Sequence, residues 1–158
     1  DNIFYNFKIP TGRGDISKIR INKKNIFLID ESYNSNPLSL SSAIKNFDLI
    51  KVKNSKKHLI LGDMLELGKH SKKLHLELSD VINSSSINNV NIFGKYIRET
   101  YKNIHNKKKG LILKETSQII DLIKNNINNN DYLMIKGSNS TGLHKLTNGL
   151  KTEKINAL

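Results

Sequence analysis

Ile26-Phe27-Leu28-Ile29-Asp30-Glu31-Ser32-Tyr33-Asn34-Ser35-Asn36-Pro37 reads as a buried strand that runs into a polar octet. The apolar run is a strand signal, and the octet ends it. Leu40, Ala43, Ile44 and Phe47 follow at i, i+3, i+4 and i+7, the spacing of one helical face. Asn36 is the expected N-cap, with Pro37 at the first helical position, where its missing N–H costs nothing. In an α/β protein such a strand-to-helix junction lies at the carboxyl end of the sheet, where ligands bind. The octet offers carboxylates, hydroxyls, a phenol and amides, enough donors and acceptors to hold a polar ligand.

Outward from this junction the same alternation repeats. Upstream, Ile19 and Ile21 mark a second short strand, joined to the first by an expected hairpin turn at Asn22-Lys23-Lys24-Asn25. Residues 1–16 read as a lead-in, broken by Pro10, Gly12 and Gly14. Downstream, strands are expected at His58–Leu61, Val90–Phe93, Leu111–Leu113 and Tyr132–Ile135. Helical stripes lie between and after them: Leu74, Leu78, Val81 and Ile82 with Ser71 as cap, then Tyr96, Ile97 and Tyr101. Ile119, Ile120, Leu122, Ile123 and Ile127 form the next, capped near Thr116, and Leu143, Leu146 and Leu150 the last. The tail after Leu150 is polar and expected to fray. Strands alternating with helices imply a mostly parallel sheet covered on both faces.

The chain has 158 residues, which suits one domain on the usual scale of roughly 100–200 residues. It contains no cysteine, so disulfides and thiolate metal sites are excluded. No apolar run approaches the roughly 20 residues of a membrane-spanning helix. The absence of an initiator Met implies a fragment or a processed chain. The net charge of +12 invites a nucleic-acid reading. Yet the lysines are scattered, and Lys107-Lys108-Lys109, the one tight run, reads as a solvated turn before a strand.

Four segments at element ends gather the chemistry: Gly12-Arg13-Gly14, the octet, Leu61-Gly62-Asp63-Met64-Leu65-Glu66-Leu67-Gly68, and Lys136-Gly137-Ser138-Asn139-Ser140. The last three share one edge of a parallel sheet. Arg13 can fork onto a phosphate or carboxylate, or simply be a solvated linker residue. Asp30 and Glu31 can accept from ribose hydroxyls or hold a metal through water; they can equally be acids placed near a helix start. Tyr33 can stack on a base or pack beneath the loop. Asn34 and Asn36 can bind polar ligand groups or act as turn and cap residues. Asp63 is a ligand group or a turn former, Lys136 a point charge for an anion, and Ser138 an anion cradle or a cap. His58 reads as structural and His105 and His144 as surface residues. His70 and His75 lie five apart, a poor fit to a helical metal pair, so no metal ligand is assigned. No nucleophile elbow and no Gly-x-x-x-x-Gly-Lys-Ser/Thr loop is present, so the chain shows no machinery to activate ATP alone.

In that order, Gly12-Arg13, Ile29 through Pro37, Leu61 through Gly68 with Ser71 and His75, and Lys136-Gly137-Ser138-Asn139 resemble the Mur ligases over about residues 12 to 150. The Ser-Tyr-Asn-x-Asn-Pro and Gly-Asp-Met-x-Glu-Leu-Gly strings resemble the branch that adds D-alanyl-D-alanine. The sister branch carries an Asp-Tyr-Ala-His-Thr-Pro type string instead. The resemblance implies a three-layer Rossmann-like α/β domain, with a six-stranded, mostly parallel sheet, one antiparallel strand and helices on both faces. It implies residues 1–13 as the end of a central domain and linker, 14–150 as the family's C-terminal domain, and 151–158 as a tail. It further implies a cytoplasmic ATP- and Mg²⁺-dependent amide ligase of peptidoglycan precursor synthesis. The phosphate loop would belong to the absent central domain, so this chain should be inactive alone. Its partners would be UDP-N-acetylmuramoyl-tripeptide, D-alanyl-D-alanine, ATP and the other two domains of the same polypeptide.

By the same resemblance Arg13, Glu31, Tyr33 and Asn34 would face the nucleotide. Asn36, Asp63, Lys136 and Ser138 would face the substrate, and no residue of this domain alone would be catalytic. Glu31 stands where many relatives have Asp, Asn139 where some have Arg, and Gly142-Leu143-His144 replaces a more usual Arg-Met-Glu. The other readings are a folylpolyglutamate-type ligase of the same superfamily and a non-catalytic basic binding module.

Overall fold

The computed structural model describes residues 15–32, 37–64, 67–137 and 141–152. The first two strands, β1 (Asp15–Ile21) and β2 (Lys24–Glu31), form an antiparallel hairpin. Its turn is tighter than the sequence suggests. Only Asn22 and Lys23 lie outside the ladder, both left-handed at φ 49° and 64°, as a two-residue primed turn requires. Lys24 and Asn25 therefore belong to β2. The Lys24 ammonium closes the far end of a helix by donating to the carbonyls of Ile123, Lys124 and Ile127.

From β2 the chain alternates through α1 (Pro37–Leu49), β3 (Lys57–Gly62), α2 (Ser71–Asn83), β4 (Asn89–Phe93) and α3 (Arg98–Lys102). It continues through β5 (Lys109–Leu113), α4 (Thr116–Asn126), β6 (Tyr132–Lys136) and α5 (Leu143–Lys151). The sheet order is β1-β2-β6-β3-β4-β5, with β1 antiparallel and every other neighbour parallel. The expected six-stranded Rossmann-like sheet is therefore present.

Period-two alternation divides the core between the two faces. Leu59, Leu61 and Met134 point toward α1, α2 and the α3 region, beside Leu40, Ile44, Phe47, Leu78 and Ile82. Ile60, Leu133 and Ile135 point the other way, against Ile119, Leu122 and Ile123 of α4 and Leu143, Leu146 and Leu150 of α5. Each fully buried side chain of this kind stabilises the fold by about 1.5–3 kcal/mol. Among the described residues no helix is long and apolar enough to cross a membrane.

Two expected caps differ in detail. Ser71 is not the N-cap of α2, because a 3₁₀ turn at Gly68–His70 runs straight into the helix and leaves Ser71 inside it. The α4 cap is Glu115, paired with Gln118 in a reciprocal capping box. The end of α5 also lies one residue beyond Leu150, at Lys151, which is anchored rather than frayed. Nor is the lysine run a solvated turn. Lys108 is 7% exposed and its ammonium donates to the carbonyls of Ser85 and Ile87, while Lys109 lies over the Tyr101 ring.

Candidate functional site

Strand β6 lies between β2 and β3, and the helices that follow those neighbours cover one face. The helix that follows β6 covers the other. The carboxyl end of β6 is thus a topological switch point, the position at which open α/β sheets bind their ligands. Lys136 is the last residue of β6 and Glu31 the last of β2, and the two stand directly beside each other in the ladder. Lys136 Nζ lies 3.3 Å from Glu31 Oε2 and donates to Ser39 Oγ of α1 at 2.9 Å. Its side chain is 1% exposed, whereas Glu31 retains 20%. Burial lowers the Lys136 pKa, and the Glu31 carboxylate only partly offsets this.

On the opposite face of the same strand end sits a second polar cluster. Asp30 is fully buried, so it cannot act as the exposed ribose or metal ligand that its sequence position allows. One oxygen accepts the Ser32 backbone N–H at 3.0 Å and the Ser32 hydroxyl, and the other meets Lys151 Nζ at 2.7 Å. Ser32 Oγ also lies 2.9 Å from Thr147 Oγ1 and 3.3 Å from His144 Nδ1. His144 is accordingly half-buried against the octet rather than a surface residue. Burial alone would raise the Asp30 pKa; the hydrogen bonds from Lys151 and Ser32 outweigh it and hold the carboxyl below its ordinary value. This cluster ties the start of the octet to α5.

Asp63, at the end of β3, is buried, and both of its oxygens are engaged. They accept backbone N–H groups of Lys95 at 3.1 Å and Ile97 at 2.8 Å. Asp63 therefore holds the turn after β4, the role open to a turn former. Gly94 begins that turn at φ +140°, and a Cβ there would stand 2.5 Å from the Asp63 carboxylate. Gly94→Ala is expected to lower stability by about 2–4 kcal/mol through backbone strain and that clash together. A chemical melt checks this; a loss under about 0.5 kcal/mol, the range of neutral surface changes, would contradict it.

His75 is the strap of the preceding loop. Its Nδ1 lies 2.8 Å from the Ser71 carbonyl, which can only accept, so Nδ1 carries the proton. Its Nε2 then accepts the Met64 N–H at 3.3 Å. Gly62 and Gly137 are back to back. A Cβ on Gly137 would stand 2.7 Å from Leu143 Cδ1 and 3.3 Å from the Gly62 Cα, so these glycines seat α5 against the sheet. His58 is structural as expected, paired with Asp131 at 2.8 Å at the opposite end of the strands.

The structure thus brings Glu31, Lys136 and Asp63 to one sheet edge, and adds Ser39, His144 and Lys151, which sequence reasoning did not assign to the site. Pairing could have flagged Ser39, two residues into the α1 pattern; nothing in the sequence places Lys151 on Asp30. Arg13, Tyr33, Asn34, Asn36 and Ser138 lie outside the described residues.

The family model described as Mur ligase, glutamate ligase domain, matches residues 18–139. Among curated proteins, a UDP-N-acetylmuramoyl-tripeptide–D-alanyl-D-alanine ligase of Rickettsia prowazekii is 31% identical over 138 residues, covering 87% of this chain and 29% of that protein. Its namesake in Buchnera aphidicola from Acyrthosiphon pisum is 36% identical over 132 residues, covering 82% of this chain and 28% of that protein. The chain therefore spans under a third of the length of these relatives. Among solved structures, MurF ligase from Thermotoga maritima in complex with ADP shares the fold at TM-score 0.74 and 22% identity, over 97% of this chain and 33% of that one. The carboxyl-edge site and the family match over most of the sheet lead to one conclusion: this chain belongs to the Mur ligase family, through its C-terminal, glutamate ligase domain.

Proposed function

We propose that this chain is the C-terminal domain of an ATP-dependent ligase that adds D-alanyl-D-alanine to UDP-N-acetylmuramoyl-tripeptide in the cytoplasm. The observation that carries the reading is the buried Lys136–Glu31–Ser39 cluster at the switch point, within the region matched by relatives of that name. The reaction has two steps. A carboxylate oxygen of the tripeptide takes the γ-phosphoryl group of ATP, giving an acyl phosphate and ADP. The amine of the dipeptide then attacks the acyl carbon, loses a proton and expels phosphate, leaving an amide.

What this domain supplies is binding and charge, not a nucleophile. Lys136 fixes a positive charge just beneath the surface at the carboxyl end of β6. Glu31, partly exposed, has the acceptor chemistry that ribose hydroxyls need. Arg13, Tyr33 and Asn34 join Glu31 on the nucleotide side, and Asn36 and Ser138 join Lys136 on the substrate side. Asp63 serves that side through the turn it holds. Among the described residues no three His, Asp or Glu side chains gather in a way that could hold a metal ion. Mg²⁺ would be held by the central domain of the full-length protein.

The full-length protein should release ADP only when ATP, the tripeptide nucleotide and D-alanyl-D-alanine are all present. A folate and glutamate pair that supported turnover in their place would overturn the assignment. The present domain alone should release no ADP under the same conditions. Measurable dipeptide-dependent release from it would contradict the division of labour proposed here.

A further inference from the structure

The turn after β4 is built more firmly than a connection needs. A buried carboxylate holds it at both ends, through the N–H groups of Lys95 and Ile97. Ile97 is fully buried behind it. The residue between the two anchored N–H groups, Tyr96, is pushed outward and is 48% exposed. Lys95 is also exposed, and its ammonium lies 5.6 Å over the Tyr96 ring. Among the described residues that ammonium has no carboxylate partner. A rigid base that presents an exposed cation and a ring edge has the form of a recognition element for an anion.

Its position selects which anion. The carboxyl end of β4 lies two strands from that of β6, with β3 between them, a separation of about 10 Å. An extended dipeptide spans about 7 Å. A dipeptide whose amine attacks beside Lys136 therefore covers most of that distance, its other end is a carboxylate, and the four-carbon stem of Lys95 covers the rest. We infer that Lys95, braced on Tyr96, binds the terminal carboxylate of the incoming dipeptide, and that Asp63 is the positioning residue that sets the turn. The inference rests on the ligase reading above and names the part of the dipeptide subsite that lies in this domain.

The test uses the full-length protein with Lys95→Met and Lys95→Arg, and with D-alanyl-D-alanine and its C-terminal amide as alternative acceptors. Lys95→Met should raise KM for the dipeptide about tenfold, the worth of one charge-assisted hydrogen bond, with kcat and the KM for ATP held. Lys95→Arg should recover most of the loss. The unmodified protein should favour the free dipeptide over its amide by a similar factor, and Lys95→Met should erase that preference. An unchanged dipeptide KM overturns the inference, as does a rise confined to ATP or to the tripeptide nucleotide. Equal melting temperatures exclude a folding defect; if Lys95→Met melts early, the preference for acid over amide, measured below the melt, decides. If the unmodified protein shows no dipeptide-dependent ADP release, the ligase reading itself fails and takes this inference with it.

Discussion

Asp30→Ala should destabilise the domain by about 3 kcal/mol, the low end of what breaking a buried ion pair costs. Asp30 is fully buried, and its removal leaves several polar groups behind. The Ser32 N–H and hydroxyl both lose the Asp30 oxygen, and Lys151 loses the Asp30 carboxylate. The lower figure applies because Lys151 keeps 15% of its side chain in water and can be partly rehydrated. Lys151→Met should cost less, since Asp30 retains the two bonds from Ser32. The same pair gives an acid limb. Asp30 titrates lower in the folded chain than in the unfolded one, so its contribution is complete above about pH 4, the ordinary carboxylate value. It is lost as the pH falls through the lower folded value. Urea melts at pH 7 and pH 3 should therefore show a smaller acid loss for Asp30→Asn than for the unmodified domain. A parallel loss would show that Asp30 does not carry this limb.

Lys136→Met should have the opposite profile, a large loss of activity with little loss of stability. Burial lowers the Lys136 pKa despite the Glu31 carboxylate at 3.3 Å, so the folded chain holds this ammonium at a cost. Met fills the space of the lysine stem, and the Glu31 carboxylate left behind keeps 20% of its side chain in water and can be rehydrated, so the loss stays below that of breaking a fully buried pair. Turnover of the full-length protein should nevertheless fall by about 100-fold or more, the usual result of removing one preorganised donor to developing negative charge. Matched melting curves and single-turnover rates separate the two effects. Unchanged turnover with a collapsed melting temperature would make Lys136 a structural residue and remove the centre of the proposed site.

The contrast between these residues shows what was legible in the sequence. Strand and helix positions followed from the apolar pattern, because Leu59, Ile60 and Leu61 demand burial on both faces of a strand and Leu40, Ile44 and Phe47 on one face of a helix. The octet was visible as a site because polar residues are dense where a strand meets a helix. Its internal division was not visible. Asp30 and Glu31 are adjacent acids in the sequence, yet strand alternation sends one under α5 and the other toward α1. The charge excess was equally opaque. Lys57, Lys108 and Lys136 are all buried, and two of them close carbonyl groups of other segments, Lys57 at Asp48 and Lys108 at Ser85 and Ile87. A lysine used as an internal donor looks the same in composition as one on a basic surface. Asp63 carried both of its readings in the sequence, and only the turn at Gly94–Ile97 shows which backbone its oxygens hold.

The central claim is the identity of the bond formed, and product analysis tests it most directly. The full-length protein, given ATP, UDP-N-acetylmuramoyl-tripeptide and D-alanyl-D-alanine, is predicted to yield the pentapeptide nucleotide, with one ADP and one phosphate per amide formed. ADP release that leaves the tripeptide nucleotide unextended, or extension by a single amino acid in place of the dipeptide, would contradict it.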